Sequence, residues 1–171
     1  MATQLTAYAN RYKKVGILLD TNVLLLLLFA NFQPGMIGGK RLEKYTLQDA
    51  ALLAAYVRCF SRILTTQHIL AETSNLAAQV LGGKAKAAFF TRLFPLFCSD
   101  MAEALHPCKM QSSDIDQALF VRLGLTDASV VAAIGTEGLL LTDDLDLHLA
   151  AIGKGSPSIN FTHMREATGL L

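Results

Sequence analysis

The chain has 171 residues, of which 52% are hydrophobic and 17% charged, and its formal net charge is +1. This length suits a single domain spanning residues 1–171, and the composition excludes a disordered or fibrous chain. The small net charge does not by itself indicate a nucleic-acid-binding protein. Without the five acids considered below, however, 9 acidic residues face 15 basic ones, so the rest of the surface is expected to be basic.

The three cysteines, Cys59, Cys98 and Cys108, form no CxxC pair, and their odd number argues against a disulfide framework. A reducing compartment, by default the cytoplasm, is therefore expected. Residues 15–30 resemble a signal peptide, but two polar residues interrupt them and no cleavage pattern follows. Since spanning a bilayer takes roughly 20 apolar residues, we expect no membrane association.

An apolar run that ends at Asp20 predicts a first strand over residues 15–19, followed by a turn and a Leu-rich helix over residues 23–30. Residues 31–44 contain glycines and a proline without periodicity and predict an exposed loop. The other predicted elements are helix 47–60, strand 62–66, helix 68–81, helix 84–98, a candidate strand 104–109, a helix capped by Ser112 or Ser113 and ending at 123, helix 127–135, strand 138–142, helix 144–152 and strand 158–161. Strands separated by helices predict an α/β fold with a parallel sheet, at whose carboxyl edge functional groups gather.

Two acidic residues stand out at this edge. Asp20 follows the first strand directly, although it has a plain structural explanation as a helix N-cap. Glu72 shares a helix face with Ile69 and Leu76, so a carboxylate lies on an apolar face. It either swings out to water or to a basic side chain, or it requires a cation or a hydrogen-bond partner.

Further acids are expected at the same edge. Asp127 shares its side of the following helix with apolar residues, but it can also simply cap that helix. Asp143, Asp144 and Asp146 follow the strand 138–142 and repel one another. A solvated acidic turn explains them, and so does a divalent cation that relieves the repulsion. Because these positions converge, we expect an oxygen-rich site suited to Mg²⁺ or Mn²⁺.

Four segments resemble the motifs of the PIN-domain family, which includes VapC-like ribonuclease toxins and related nucleases. They are residues 17–22 (ILLDTN), 69–72 (ILAE), 124–128 (GLTDA) and 140–147 (LLTDDLDL). The resemblance extends roughly over residues 15–165. It implies a three-layer α/β/α fold with a central parallel sheet in the order 3-2-1-4-5.

The resemblance also implies a quartet of catalytic, metal-binding acids: Asp20, Glu72, Asp127 and Asp144. Asp146 would be an additional metal ligand, and Asp143 would point away from the site. Supporting hydroxyl and amide groups would come from Thr21, Asn22 and Thr142. The implied activity is Mg²⁺- or Mn²⁺-dependent hydrolysis of phosphodiester bonds in RNA, often by the toxin of a toxin–antitoxin pair. The implied partners are an RNA substrate, an antitoxin protein and a second copy in a homodimer.

Basic residues near the first motif and its loop are predicted to bind RNA phosphates, although a merely solvated surface explains each of them as well. They are Lys13, Lys14, Lys40, Arg41 and Lys44. Tyr12 and Tyr45 flank these residues and are candidates for stacking on bases.

Other functions stay open at this point. A catalytically silent PIN-like module would bind RNA or a protein through the same fold. An aspartyl-phosphate phosphatase also has an Asp after its first strand, but its chemistry requires a second Asp where this chain has Asn22. His106 and Cys108 are possible zinc ligands, but the sequence has no matching second pair.

Overall fold

A computed structural model describes residues 2–104 and 116–170 of the chain. Its helices and strands, in chain order, are α1 (Ala2–Tyr12), β1 (Ile17–Leu19), α2 (Thr21–Phe32), α3 (Leu47–Val57), β2 (Ile63–Thr65), α4 (Gln67–Val80), α5 (Gly83–Ala88), α6 (Phe94–Leu96), β3 (Ala102–Ala104), α7 (Gln117–Leu123), α8 (Leu125–Ile134), β4 (Leu139–Thr142), α9 (Leu145–Gly153), β5 (Ser158–Asn160) and α10 (Phe161–Ala167).

Helices connect the strands of a parallel sheet, so the predicted α/β class is confirmed. β1 lies in the middle of the sheet, and its Leu18 pairs with Leu64 of β2 and with Leu140 of β4. β5 adds to β4, and the short β3 adds to β2 through its backbone, which gives the order β3-β2-β1-β4-β5. This arrangement is compatible with a three-layer α/β/α fold.

The third strand and the helix after it differ from the prediction. The predicted strand 104–109 overlaps β3 only at Ala104. Residues 105–115, which include His106, Cys108 and both predicted capping serines, lie outside the described part of the chain. α7 begins at Gln117, and the side chain of Asp116 caps it by accepting hydrogen bonds from the backbone N–H groups of the following residues.

The Leu-rich α2 is a core helix. Its residues 23–29 are 0–5% exposed, and the helix packs against α3 and α4. A helix that is covered on all sides is apolar all round, which explains why this run shows no amphipathic period. Across residues 2–104 and 116–170, no helix combines the length and the apolar character needed to cross a membrane.

The segment predicted as a single helix over residues 84–98 is helical throughout, but it is not one regular α-helix. α5 ends at Ala88, and π-helical turns, Phe89–Leu93 and Phe97–Met101, lie on either side of α6. Pro95 lies inside α6 and has no N–H to donate, so regular α-helical hydrogen bonding is interrupted there.

The expected exposed loop over residues 31–44 is only partly exposed. Leu42 is 2% exposed, and Tyr45, directly after the loop, is equally buried. The loop returns to the body of the protein at α3, whose first turn Thr46 and Asp49 close with a capping box. The segment before α3 is therefore held in place at its end.

A buried ion pair between α3 and α10 fixes this end of the loop. Nε of Arg165 lies 2.7 Å from Oδ1 of Asp49, and one terminal nitrogen of the guanidinium lies 3.0 Å from Oδ2. The same nitrogen donates to the backbone carbonyl of Lys44 at 2.9 Å. Both side chains are almost fully buried. Neither α10 nor this ion pair follows from the sequence patterns.

Candidate functional site

Asp20 lies between the end of β1 and the first residue of α2, and it is 5% exposed. Its Oδ1 accepts a hydrogen bond from the backbone N–H of Val23 at 2.8 Å, so Asp20 is an N-cap. Its Oδ2 accepts from the hydroxyl of Thr142 and from the backbone N–H of Asp143. Burial raises the pKa of Asp20, and these three donors oppose the rise. The carboxylate is thus both a cap and a fixed group at the carboxyl edge of the sheet.

Glu72 lies on the second turn of α4 and is half-buried. Its Oε2 accepts a hydrogen bond from the hydroxyl of Thr21, at 3.1 Å. Thr21 is the first residue of α2 and directly follows Asp20. The hydrogen bond therefore turns Glu72 toward the start of α2 and away from bulk water.

Asp127 lies within the first turn of α8, which begins two residues earlier, so the helix does not start at Asp127 as predicted. Burial, and to a smaller extent the charges of Asp144, Asp20 and Glu72, raise the pKa of Asp127 to about 7. Asp144, Asp20 and Glu72 therefore lie near enough to Asp127 for their charges to act on its carboxyl group.

Asp144 is the N-cap of α9 and accepts from the backbone N–H of Leu147 at 2.9 Å. Its own N–H donates to the hydroxyl of Thr142, the same hydroxyl that donates to Asp20. Thr142 thus links the two acids. Asp146 is exposed on the first turn of α9, and it is not among the charges that raise the pKa of Asp127.

The predicted supporting residues differ in their positions. Thr142 and Thr21 are buried and donate hydrogen bonds to Asp20 and Glu72, respectively. Asn22 is exposed on α2. The two threonines therefore have the contacts expected of supporting groups.

Basic residues predicted to bind RNA lie in two places. Lys13 and Lys14 precede β1, whereas Asp20 follows it, so at least about 10 Å of extended strand separates them from the acids. Arg41 donates to Oε1 of Gln79, at 2.8 Å. Gln79 lies on the face of α4 that carries Glu72, because residues seven apart return to the same side of a helix.

Lys40 and Lys44 belong to the same segment as Arg41 and are exposed. The ammonium group of Lys44 lies 2.5 Å from Oδ2 of Asp143, and the Lys44 side chain is 55% exposed. Tyr12 and Tyr45 are 3% and 2% exposed. The suggestion that these tyrosines stack on bases is therefore wrong, because their rings are buried in the core.

Among the described residues, the four acids have no basic partner. In the described part of the chain, no Lys or Arg forms an ion pair with Asp20, Glu72, Asp127 or Asp144. Nor do three His, Cys, Asp or Glu side chains among the described residues lie close enough together to hold a metal ion. A cation bound by these acids would therefore have to keep several waters, as Mg²⁺ commonly does.

Asp127 leads to a prediction for the metal-free protein. Its pKa of about 7, against an ordinary 3.8, means that folded Asp127 keeps a proton which the unfolded chain releases between about pH 4 and about pH 7. Folding stability should therefore fall as the pH rises through this range, and Asp127→Asn should reduce the slope. Thermal melts in EDTA over this range measure both slopes; equal slopes in the two proteins would contradict the burial of this carboxyl.

Comparisons of the chain with protein-family models, with curated proteins and with solved structures give no match.

Proposed function

We propose that the chain is a PIN-like, three-layer α/β/α endoribonuclease that depends on Mg²⁺ or Mn²⁺. The observation that supports this most is the hydrogen-bond geometry at the edge of the sheet: the hydroxyl of Thr142 links Asp20 with Asp144, and Thr21, the residue after Asp20, donates to Glu72. Asp127 lies near enough for the charges of these three acids to raise its pKa, and no Lys or Arg among the described residues forms an ion pair with any of the four. Such a cluster is unfavourable unless a cation or protons neutralise it.

The residues of the cluster divide into fixed and accessible acids. Asp20 is held by three donors, and Glu72 is held by Thr21, so these two present carboxylates in fixed positions. Asp144 and Asp146 are exposed and can orient an attacking water. Asp20, Glu72, Asp127 and Asp144 would hold the Mg²⁺ ion, which would supply Lewis-acid activation of that water and of the phosphoryl group. Hydrolysis would leave a 5′-phosphate on the product.

The RNA strand would be held mainly through its phosphates. Arg41 lies along the α4 face that carries Glu72, and Lys44 lies beside the β4–α9 turn that carries Asp144. Lys40 extends this basic segment. A role as a toxin, with an antitoxin protein and a homodimer, rests on the family resemblance alone.

The test is incubation of the purified chain with end-labelled single-stranded RNA in Mg²⁺, in Mn²⁺ and in EDTA. We expect cleavage with either ion, no cleavage in EDTA, and products that carry 5′-phosphates. RNA that is bound equally well in all three buffers and never cut would instead support a catalytically silent PIN-like binding module. That second candidate is favoured by the lack of a three-ligand metal group among the described residues.

Lys44→Ala should weaken RNA binding. The Lys44 side chain is half-exposed, so its ammonium group can exchange Asp143 for a phosphate. Its loss should therefore lower the slope of log Kd against log salt concentration by about one. Binding is measured in EDTA at several salt concentrations. Lys14→Ala is the matched control, because it removes an exposed lysine beyond the amino end of β1. An equal effect of both substitutions would contradict the proposal that RNA binds at Lys44.

A further inference from the structure

Asp143 has a different environment from the acids on either side of it in the site. Its side chain is 1% exposed. Oδ1 accepts from the hydroxyl of Thr162 at 2.5 Å, and Oδ2 accepts from the hydroxyl of Tyr45 at 2.7 Å and from the ammonium of Lys44. Burial raises the pKa of Asp143, but these three donors outweigh it and hold the pKa below its ordinary value. Asp143 is therefore a buried carboxylate whose two oxygens already have hydrogen-bond donors.

The backbone of Asp143 belongs to the acidic cluster. Its N–H donates to Oδ2 of Asp20 at 2.9 Å. The hydroxyl of the preceding residue, Thr142, also donates to Oδ2 of Asp20. The backbone N–H of the following residue, Asp144, donates to the Thr142 hydroxyl. The orientation of residues 142–144 therefore determines how Asp144 is placed relative to Asp20.

The groups that bind the Asp143 carboxylate are themselves fixed. The ring of Tyr45 is buried and packs against Phe161 and beneath the guanidinium of Arg165. Arg165 also binds the backbone carbonyl of Lys44. Thr162 lies on the first turn of α10. Three segments thus meet at the Asp143 carboxylate: the end of the loop before α3, the β4–α9 turn and the start of α10.

We propose that Asp143 is a positioning residue, and that Tyr45 and Thr162 act through it to fix the spacing between Asp20 and Asp144. The inference rests on the proposed function, because it assigns that spacing to the binding of a divalent cation. The same contact joins the basic segment of Lys40, Arg41 and Lys44 to the acidic edge. This role of Asp143 could not be predicted from the sequence, because its hydroxyl donors Thr162 and Tyr45 lie 19 and 98 residues away along the chain.

The test uses the full chain and the double variant Tyr45→Phe/Thr162→Val, which removes both hydroxyl donors and leaves every proposed metal ligand in place. Mn²⁺ alone is the probe. We expect the Mn²⁺ affinity to fall by about 10-fold or more, as for other groups that orient metal-binding residues. In the metal-free protein, amide hydrogen exchange at Asp143 and Asp144 should become about 10-fold faster.

Tyr56→Phe is the matched control. It removes the hydroxyl of another buried tyrosine, which lies in the last turn of α3 and donates to the backbone carbonyl of Leu5 at 3.1 Å. This variant should bind Mn²⁺ as the wild type does. If it weakens Mn²⁺ binding as much as the double variant, the effect is general destabilisation and the inference is wrong.

The two proposals can fail separately. A wild-type protein that binds no Mn²⁺ would refute the metal-dependent function. Amide exchange would still test whether Asp143 is a positioning residue. Unchanged exchange at Asp143 and Asp144 in the double variant would overturn the positioning role, whether or not the wild type binds Mn²⁺.

Discussion

Replacing Asp20 by Asn should abolish RNA cleavage, with a loss of about 10²–10³-fold or more. The substitution removes the buried charge at the centre of the cluster, which no other described residue replaces. The folded state should survive, because two effects oppose each other. Burial disfavours the charged form of Asp20, and the neutral amide removes that cost. Its NH₂ group, however, must face an N–H or O–H group that donates to Asp20 in the wild type. The net change in stability should be about 1 kcal/mol in either direction.

Cleavage under single-turnover conditions and thermal melting measure the two quantities on the same samples. Glu137→Gln is the control, because Glu137 is an exposed acid just before the amino end of β4; it should cleave normally. Added Mn²⁺ should also raise the melting temperature of the wild type more than that of Asp20→Asn, since only a ligand that prefers the folded site stabilises it. Undiminished cleavage by Asp20→Asn would contradict the proposed active site.

Breaking the buried ion pair should have the largest effect on stability. Either Arg165→Met or Asp49→Asn leaves an unpaired polar or charged group in the core, and each should cost about 3–5 kcal/mol of unfolding free energy. Arg165→Met also removes the hydrogen bond to the carbonyl of Lys44. The end of the basic segment should therefore loosen together with the loss of stability.

Urea denaturation of Arg165→Met, of Asp49→Asn and of the variant that combines them gives a double-mutant cycle. The double variant should lose less than the sum of the single losses, because it leaves no unpaired charge. Lys154→Ala is the control for an ion pair at the surface, since Lys154 and Asp116 are partly exposed; it should cost no more than about 1 kcal/mol. If Arg165→Met costs as little as Lys154→Ala, the pair does not hold α3 and α10 together.

Several features of the site could be predicted because the interactions behind them are local. An N-cap bond spans three residues, so Asp20, Thr66 and Asp144 could be recognised as helix starts from the residues next to them. An apolar run followed at once by Asp20 likewise predicts a strand end, and β1 ends at Leu19. Pro95 is a local signal for an irregularity in the helix predicted over residues 84–98, because proline has no N–H to donate.

The sequence by itself determined the α/β class and which acids belong to one edge of a parallel sheet, because strand and helix periods and caps depend on neighbouring residues. Only the tertiary structure decided how each acid is used. Thr142 reaches Asp20 across 122 residues, Thr21 reaches Glu72 across 51, and Arg165 reaches Asp49 across 116. No short-range pattern encodes such contacts, since they form only when packed elements bring distant side chains together. Burial decided the rest: Tyr45 and Asp143 look like surface residues in the sequence, whereas in the fold both side chains are covered and form a hydrogen bond with each other.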